Sequence, residues 1–511
     1  MYLLDKYTYI KNPFVEENIF RAQKASAGKL PTFSQRRGSL PNPFWDGHES
    51  AIGCYWKVWE IAFSNLRKPT RKNGFVSGYI DTAFNDHLFM WDSAFICQFA
   101  KYGMRAFNFL GTLDNIYAKQ HPDGYICREI DEKTGQDCFQ RHDPASTGPN
   151  VLAWTEWDYY LMFGDRKRLA CVFPPLLAYY QWMKRYRSWP DGTAWSSGWG
   201  CGMDNQPRLD TEGEFDPVRL RQLSHFAHGH MSWIDACFQQ VMSANFLMKM
   251  ARELEREHDI PALRADAESL ARIVNKKMWD KKTAFYYDRY RSGRLSGVKS
   301  IAAYWGLLAN AVPGRRLGRF ISHLSNAREF SRPHRVPTLS ADHPDYRETG
   351  NYWNGAVWAP TNYMVLRGLS DAGYHGLAHE IGMNHLGNVV KVYERTGTVW
   401  ENYSPEKTAP GKPAKEDFVG WSGLGPVSVF FEYVLGIVPD VPKSKITWRL
   451  NLLDEHGIEN YPFGKDGRVS LRCRARKDAR ETPRVEIISN VPVKVELAWD
   501  GGKKTVKAKP F

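Results

Sequence analysis

The sequence predicts a mainly α-helical fold, an (α/α)6 toroid, followed by a small antiparallel β domain. Three observations predict it. Between residues 48 and 436, apolar side chains recur every three to four positions, as in Ile234, Cys237 and Val241 or Phe246, Met250 and Leu254, which places them on one helix face. Long stretches rich in Trp, Gly and Pro, at 120–149, 188–215, 328–354 and 396–424, fall at alternate helix junctions. Loops of that length in a compact domain usually carry function. Beyond Gly436-Ile437-Val438-Pro439 the period changes to strict alternation of apolar and polar residues in short runs. About twelve helices with elaborate loops at every second junction fit six helical hairpins closed into a ring, with the long loops gathered at one end.

In chain order, residues 1–40 are polar and mixed, and read as an arm lying on the main domain. Pro41-Asn42-Pro43-Phe44-Trp45-Asp46-Gly47-His48-Glu49 opens the helical (α/α)6 domain, residues 41–438. Helices are predicted near 48–65, 91–102, 104–119, 150–163, 166–187, 230–255, 261–279, 300–311, 314–326, 355–369, 374–394 and 425–436. In the β domain, 439–511, the predicted antiparallel strands are Ile446–Leu450, Val469–Cys473, Val485–Ile488 and Val493–Leu497, some of them separated by Gly-Lys-Asp-Gly and Asp-Gly-Gly turns.

Composition narrows the function classes. Of the 511 residues 43% are apolar, enough for a large core, and 14% are aromatic, which serves either core packing or stacking on flat ligands and sugar rings. The net charge is +13, but the basic residues are scattered in short runs such as Lys276-Lys277 and Lys503-Lys504. No nucleic-acid-binding motif accompanies them, so nucleic acid is not an expected partner. The eight cysteines make no CxxC pair and mostly sit in apolar helical contexts, where they act as small hydrophobes. Few or no disulfides are expected, which leaves a cytoplasmic and a periplasmic home equally open. No apolar run reaches 18 residues, so no membrane span is expected. Met1-Tyr2-Leu3-Leu4-Asp5 does not read as a signal peptide.

Two carboxylates stand out. In Ser196-Ser197-Gly198-Trp199-Gly200-Cys201-Gly202-Met203-Asp204-Asn205-Gln206-Pro207-Arg208, three glycines and a proline predict a loop, and Asp204 is its only acid. Apolar neighbours raise a carboxyl's pKa and keep it protonated, as a general acid requires, although Asp is also an ordinary loop residue. Glu401 lies in Val399-Trp400-Glu401-Asn402-Tyr403-Ser404-Pro405, again among aromatics. Two isolated loop carboxylates fit glycoside hydrolysis, in which one acid protonates the leaving oxygen and a second carboxylate acts on water or sugar. The inverting form needs about 6.5–9.5 Å between them. His225, His228 and His230 resemble metal ligands but lack a carboxylate or Cys at ligand spacing, so no metal and no cofactor are expected.

Six stretches resemble the (α/α)6 catalytic domains of glycoside hydrolase family 63 and the mannosylglycerate-hydrolase-like domain, and more distantly the trehalases of family 37. They are Phe89–Ser93, Asp123–Glu129, Gly202–Arg208, Trp233–Asp235, Tyr352–Tyr363 and Trp400–Tyr403, in order along the helical domain. The resemblance implies an inverting exo-acting hydrolase of α-linked sugars, an α-glucosidase-like enzyme, with Asp204 as general acid and Glu401 activating water. It implies substrate contacts from Arg128 and Glu129. Trp91, Asp92, Trp154, Asn205, Arg208, Trp353, Asn354, Trp358, Trp400 and Tyr403 are further candidates. For Asp92 helix capping is the competing role, for Arg128 and Glu129 a structural ion pair, and for Trp353 and Trp358 core packing. A cation at Arg208 would lower the Asp204 pKa, so the apolar neighbours must outweigh it. The sequence departs from the family at Asn354, where Arg is usual, at Gln206 in place of Ser, and at Ala356 and Ala359 in place of Pro. The large N-terminal β domain of many members is replaced by residues 1–40. The partner expected is a carbohydrate: an α-glucoside, a related α-linked oligosaccharide or a glycosylglycerate. The alternatives are a non-catalytic carbohydrate-binding barrel and a glycoside phosphorylase, which would not need Glu401 as base.

Overall fold

The computed structural model describes residues 10–26, 28–209 and 225–510. Met1–Asp5 and the segment 210–224 lie outside the described residues.

The helical part is an (α/α)6 toroid. Its inner ring is built from Met90–Ala100, Leu152–Phe163, Ile234–Glu253, the consecutive 3-10 and α turns Ile301–Tyr304 and Trp305–Leu308, Ala359–Asp371, and the wide π-type helix Gly425–Val434. Each packs against the next in this order, and Gly425–Val434 returns to Met90–Ala100, which closes the ring. The reason is visible in the side chains: every residue of Met90–Ala100 and of Gly425–Val434 is buried, as expected of mostly apolar helices enclosed on all sides. The helices between them form the outer layer: Glu49–Ser64, Gly111–Ala118, Arg166–Tyr186, Ile260–Lys277, Gly314–Ile321 and His375–Thr396. Among these the one-sided pattern is clearest in Ile260–Lys277, whereas Gly111–Ala118 is nearly all buried. Ile260–Lys277 buries only Ile260, Leu263, Ala267 and Val274, a stripe at helical spacing.

The predicted helices are present with shifted ends. The 104–119 helix begins only at Gly111, because turns occupy 104–110. The 300–311 helix is reduced to Ile301–Leu308. The loop around Asp204 contains one helical turn, Gly198–Cys201. Each inner helix is entered through long loop segments, at 120–151, 188–209 with 225–233, 326–358 and 397–424 among others. The candidate site residues lie on these loops or in the first turn after them.

The strands beyond the toroid form two four-stranded sheets. One runs Asn42–Trp45, His456–Phe463, Gly467–Cys473, Val485–Ser489, all antiparallel. The other runs Gly502–Ala508, Val493–Trp499, Lys445–Arg449, Ile437–Asp440. Two points correct the expectation. Asn42–Trp45 forms an edge strand instead of leading directly into the first helix. Val493–Trp499 and Lys445–Arg449 pair in parallel, so the second sheet is mixed and not purely antiparallel. The arm's described residues lie on the toroid: Phe20 is buried against Tyr117, and the Asn18 amide donates to Tyr117 O and Gln120 Oε1. No helix among the described residues is long and apolar enough to cross a membrane, and all eight cysteines are free thiols.

Candidate active site

Asp204 enters on the loop before the third inner helix and Glu401 on the loop before the sixth. In a six-membered ring those two loops stand opposite each other. The turn Gly198–Cys201 aims the first. Ser197 caps it by accepting from Gly200 N–H, and Gly202 ends it in the left-handed region at φ 75°. A side chain at 202 would press on the Trp91 ring at 3.3 Å, so both backbone angle and space ask for glycine here.

Burial pushes the Asp204 pKa up, against the opposing positive charges of Arg128 and His225. Among the described residues, no other residue donates to its carboxylate. Glu401 is buried at 3% exposure, and both its oxygens are occupied. Tyr352 Oη donates to Oε1 at 2.8 Å and Lys415 N–H to Oε2 at 3.0 Å. Burial pushes Glu401 up as well, those two hydrogen bonds pull against it, and the charge of Asp204 adds to the rise. The Asp92 carboxyl, in the first turn of Met90–Ala100, is driven well up by burial, with Arg128 opposing and Glu401 adding to the rise. The fields of Glu401, Asp204 and Asp92 all act on the Tyr352 hydroxyl, so the three acids surround one place.

Tyr352 is the residue that sequence reasoning passed over, although it opens a motif the sequence offers. It and Asn351 both hold positive φ, 68° and 37°, a region that costs non-glycine residues and persists only where surroundings enforce it. The enforcement comes from beside Asp204. Asn205 Nδ2 donates to Asn351 O at 2.9 Å, and Asn205 Oδ1 accepts from Trp353 N–H at 2.9 Å. Trp358 Nε1 donates to Tyr352 O at 3.1 Å. The loop of the acid thus braces the turn that holds the hydroxyl on Glu401.

This reassigns several candidates. Asn205 has its amide spent on backbone and braces the site instead of binding sugar. Arg208, 1% exposed, lies beneath the loop with both ends of its guanidinium on Asp235 and Asp288, at 2.7–2.8 Å. Its charge is met by those two carboxylates, and the cations that oppose the rise at Asp204 are Arg128 and His225. Trp154 is fully buried, stacked on Tyr363. Trp353 and Trp358 stack on each other, centroids 3.8 Å apart and planes 4° apart, and both are buried. Tyr403, 1% exposed, accepts from Trp400 N–H and ties its own loop. For Trp154, Trp353, Trp358 and Tyr403, packing wins over a sugar platform. Gln206, the departure from Ser, is likewise structural, bridging Thr338 O and Ser300 Oγ.

Beside the acids lie Trp91, Arg128 and Glu129, while Trp400, next to Glu401, donates its Nε1 to Thr396 Oγ1 at 3.0 Å. Arg128 donates to Trp199 O at 2.6 Å and pairs with Glu129 at 3.3 Å. The Trp91 Nε1 and Asn354 Oδ1 atoms are buried without a partner among the described residues, which leaves them for water or ligand. His228 Nδ1 accepts from the His230 backbone N–H at 3.0 Å, a turn contact within the histidine run.

The comparisons with known proteins agree with this architecture. A family model described as the mannosylglycerate hydrolase MGH1-like glycoside hydrolase domain matches residues 85–422. The chain belongs to this glycoside hydrolase family. All three acids, Tyr352 and the Asn205 brace fall within the matched span. Among relatives, an uncharacterized protein of Borreliella burgdorferi is 24% identical over 390 residues, 74% of this chain and 78% of its own. The mannosylglycerate hydrolase of Thermus thermophilus is 23% identical over 325 residues, 52% of this chain and 77% of that one. The crystal structure of a family 63 mannosylglycerate hydrolase from Thermus thermophilus with glucose superposes with a TM-score of 0.57 at 21% identity. It covers 74% of this chain and 99% of that one. The MGH1-like domain is therefore a family 63-type glycosidase in family and fold.

Proposed function

We propose that this MGH1-like glycosidase is an inverting, exo-acting hydrolase of α-linked glycosides, with Asp204 as general acid and Glu401 as general base. The observation that carries the reading is the asymmetry between the two carboxyls. Asp204 is lifted by burial, and among the described residues only its own backbone N–H donates to its carboxylate, which suits a group that must give a proton away. Glu401 is gripped at both oxygens by donors, which suits a carboxylate that stays ionised and orients a water. Substrates in keeping with the relatives are α-glucosides, other α-linked oligosaccharides and glycosylglycerates. Arg128 and the basic surface accommodate an acidic aglycone. A screen of α-linked disaccharides, glycan fragments, glucosylglycerate and mannosylglycerate for released sugar tests this. Turnover of at least one is expected, binding without turnover of any would favour a non-catalytic barrel, and release only with phosphate would favour a phosphorylase.

Tyr352→Phe tests the role of Glu401. The Tyr352 hydrogen bond favours the carboxylate, so its removal raises the Glu401 pKa. A base is lost as pH falls through its pKa, so the acidic limb of kcat/KM moves to higher pH in the variant. The alkaline limb, set by the proton on Asp204, stays in place. An acidic limb that does not move contradicts the assignment.

A further inference from the structure

The geometry points to a transition-metal site of the zinc class beside the acid cluster, formed by His87, Glu129 and Cys138, through which the metal inhibits the enzyme. Three extended segments place these side chains together. His87–Phe89 pairs antiparallel with Glu129–Asp131, with Phe89 opposite Glu129, so His87 and Glu129 are diagonal neighbours on one face. The next segment lies against the other side of Glu129–Asp131: Ile130 bridges Asp137, and Cys138 N–H donates to Glu129 O at 3.0 Å. Cys138 therefore stands beside Glu129. His87 Nδ1 lies 2.7 Å from Glu129 Oε1. One donor atom from each of the three residues lies within 4.8 Å of the others. Zinc bonds of about 2.0–2.3 Å to N, O and S atoms fit a space of that size after the His87–Glu129 contact opens slightly, with the fourth position left to water.

The donor set is selective. A thiol, an imidazole and one carboxylate suit zinc and its neighbours, whereas magnesium and calcium favour oxygen ligands. Cys138 is the one exposed thiol of the eight, and His87 is partly open to solvent, so a metal has a way in. On binding, the thiol proton goes to solvent, sulfur coordinates as thiolate, and His87 coordinates as neutral imidazole. Glu129 Oε2 pairs with Arg128, and the charges of both Arg128 and Glu129 reach Asp204. A dication held by Glu129 adds positive charge near the carboxyl that must keep its proton, and takes Glu129 from any substrate. The inhibitory half of this inference rests on the proposed roles of Asp204 and Glu129; the binding half does not.

Two readouts separate the halves. Cobalt(II) added to the full chain is expected to give a thiolate-to-metal charge-transfer band that Cys138→Ser abolishes. No band, or one that persists in Cys138→Ser, overturns the site whether or not the protein turns over any substrate. On a substrate the enzyme hydrolyses, zinc chloride at micromolar concentration is expected to inhibit reversibly, with chelator restoring the rate and magnesium chloride without effect. Cys138→Ser keeps the basal rate and weakens zinc inhibition by about tenfold or more, the scale on which metal-site substitutions act. Equal inhibition of both proteins, or none in either, overturns the regulatory half.

Discussion

Asp204→Asn and Glu401→Gln are each expected to lower kcat on an unactivated α-glycoside by about 100-fold or more, the range a positioned general acid or base contributes. Both changes keep side-chain size and remove only the ability to give or take the proton. Asp204 sits on a loop shaped by Gly202 and by the Ser197 cap, neither of which involves its carboxyl, so folding survives. The amide at 401 can still accept from Tyr352 or Lys415 N–H. The two variants should differ on substrates with activated leaving groups. An aryl glycoside with a good leaving group needs little protonation, so Asp204→Asn recovers much of its rate there, while Glu401→Gln does not. A near-normal rate for either variant on the unactivated substrate removes that residue from the mechanism.

Arg208→Met is expected to cost about 3–5 kcal/mol of stability, the cost of leaving buried charges unpaired. Arg208, Asp235 and Asp288 are each at most 1% exposed, and four hydrogen bonds of 2.7–2.8 Å join them. Asp235 opens the Ile234–Glu253 inner helix, and Asp288 Oδ1 also accepts from Ile234 N–H. Removing the guanidinium strands two carboxylates under the loop that carries Asp204. Arg208→Lys rescues little, because one ammonium cannot meet two carboxylates in the fork geometry of Arg. Denaturant unfolding followed by far-ultraviolet circular dichroism reads the loss; a midpoint equal to that of the unaltered protein contradicts this account of the triad.

The toroid was legible from helical spacing, as in Ile234, Cys237 and Val241, and from long loops at alternate junctions. Which helices line the ring was not, since that spacing belongs to an inner helix and the inner Gly425–Val434 carries Ser428 and Glu432 among its apolar residues. Partners far along the chain were not legible. Asn42–Trp45 contains Pro43, which argues against a strand, and its register partner Glu459 is 417 residues away from Asn42. His456–Phe463 carries a bulge between Ile458 and Tyr461, which breaks the alternation that would reveal it. The parallel register of Val493–Trp499 against Lys445–Arg449 leaves no local trace, since alternation reports a face and not a partner.

The site divides in the same way. Asp204 and Glu401 were legible as acids among aromatics in loops. The work of their neighbours was not, because it depends on which groups tertiary contacts consume. Arg208 is four residues from Asp204 in sequence, yet Asp235 and Asp288 take its charge. Trp353 and Trp358 take each other's faces. Tyr352 reaches Glu401 only through a backbone angle that nothing in its side chain announces.

The central claim is single displacement at an α-linked sugar, with Glu401 activating water and Asp204 protonating the leaving oxygen in the same step. No covalent sugar intermediate forms on that route, because water attacks from the face opposite the leaving group. Proton NMR of the anomeric signals, recorded within minutes of adding enzyme and before mutarotation, tests it most directly. The account predicts that the β-anomer of the released sugar appears first. The α-anomer appearing first would mean a double displacement through a carboxylate nucleophile, and would contradict the role given to Glu401.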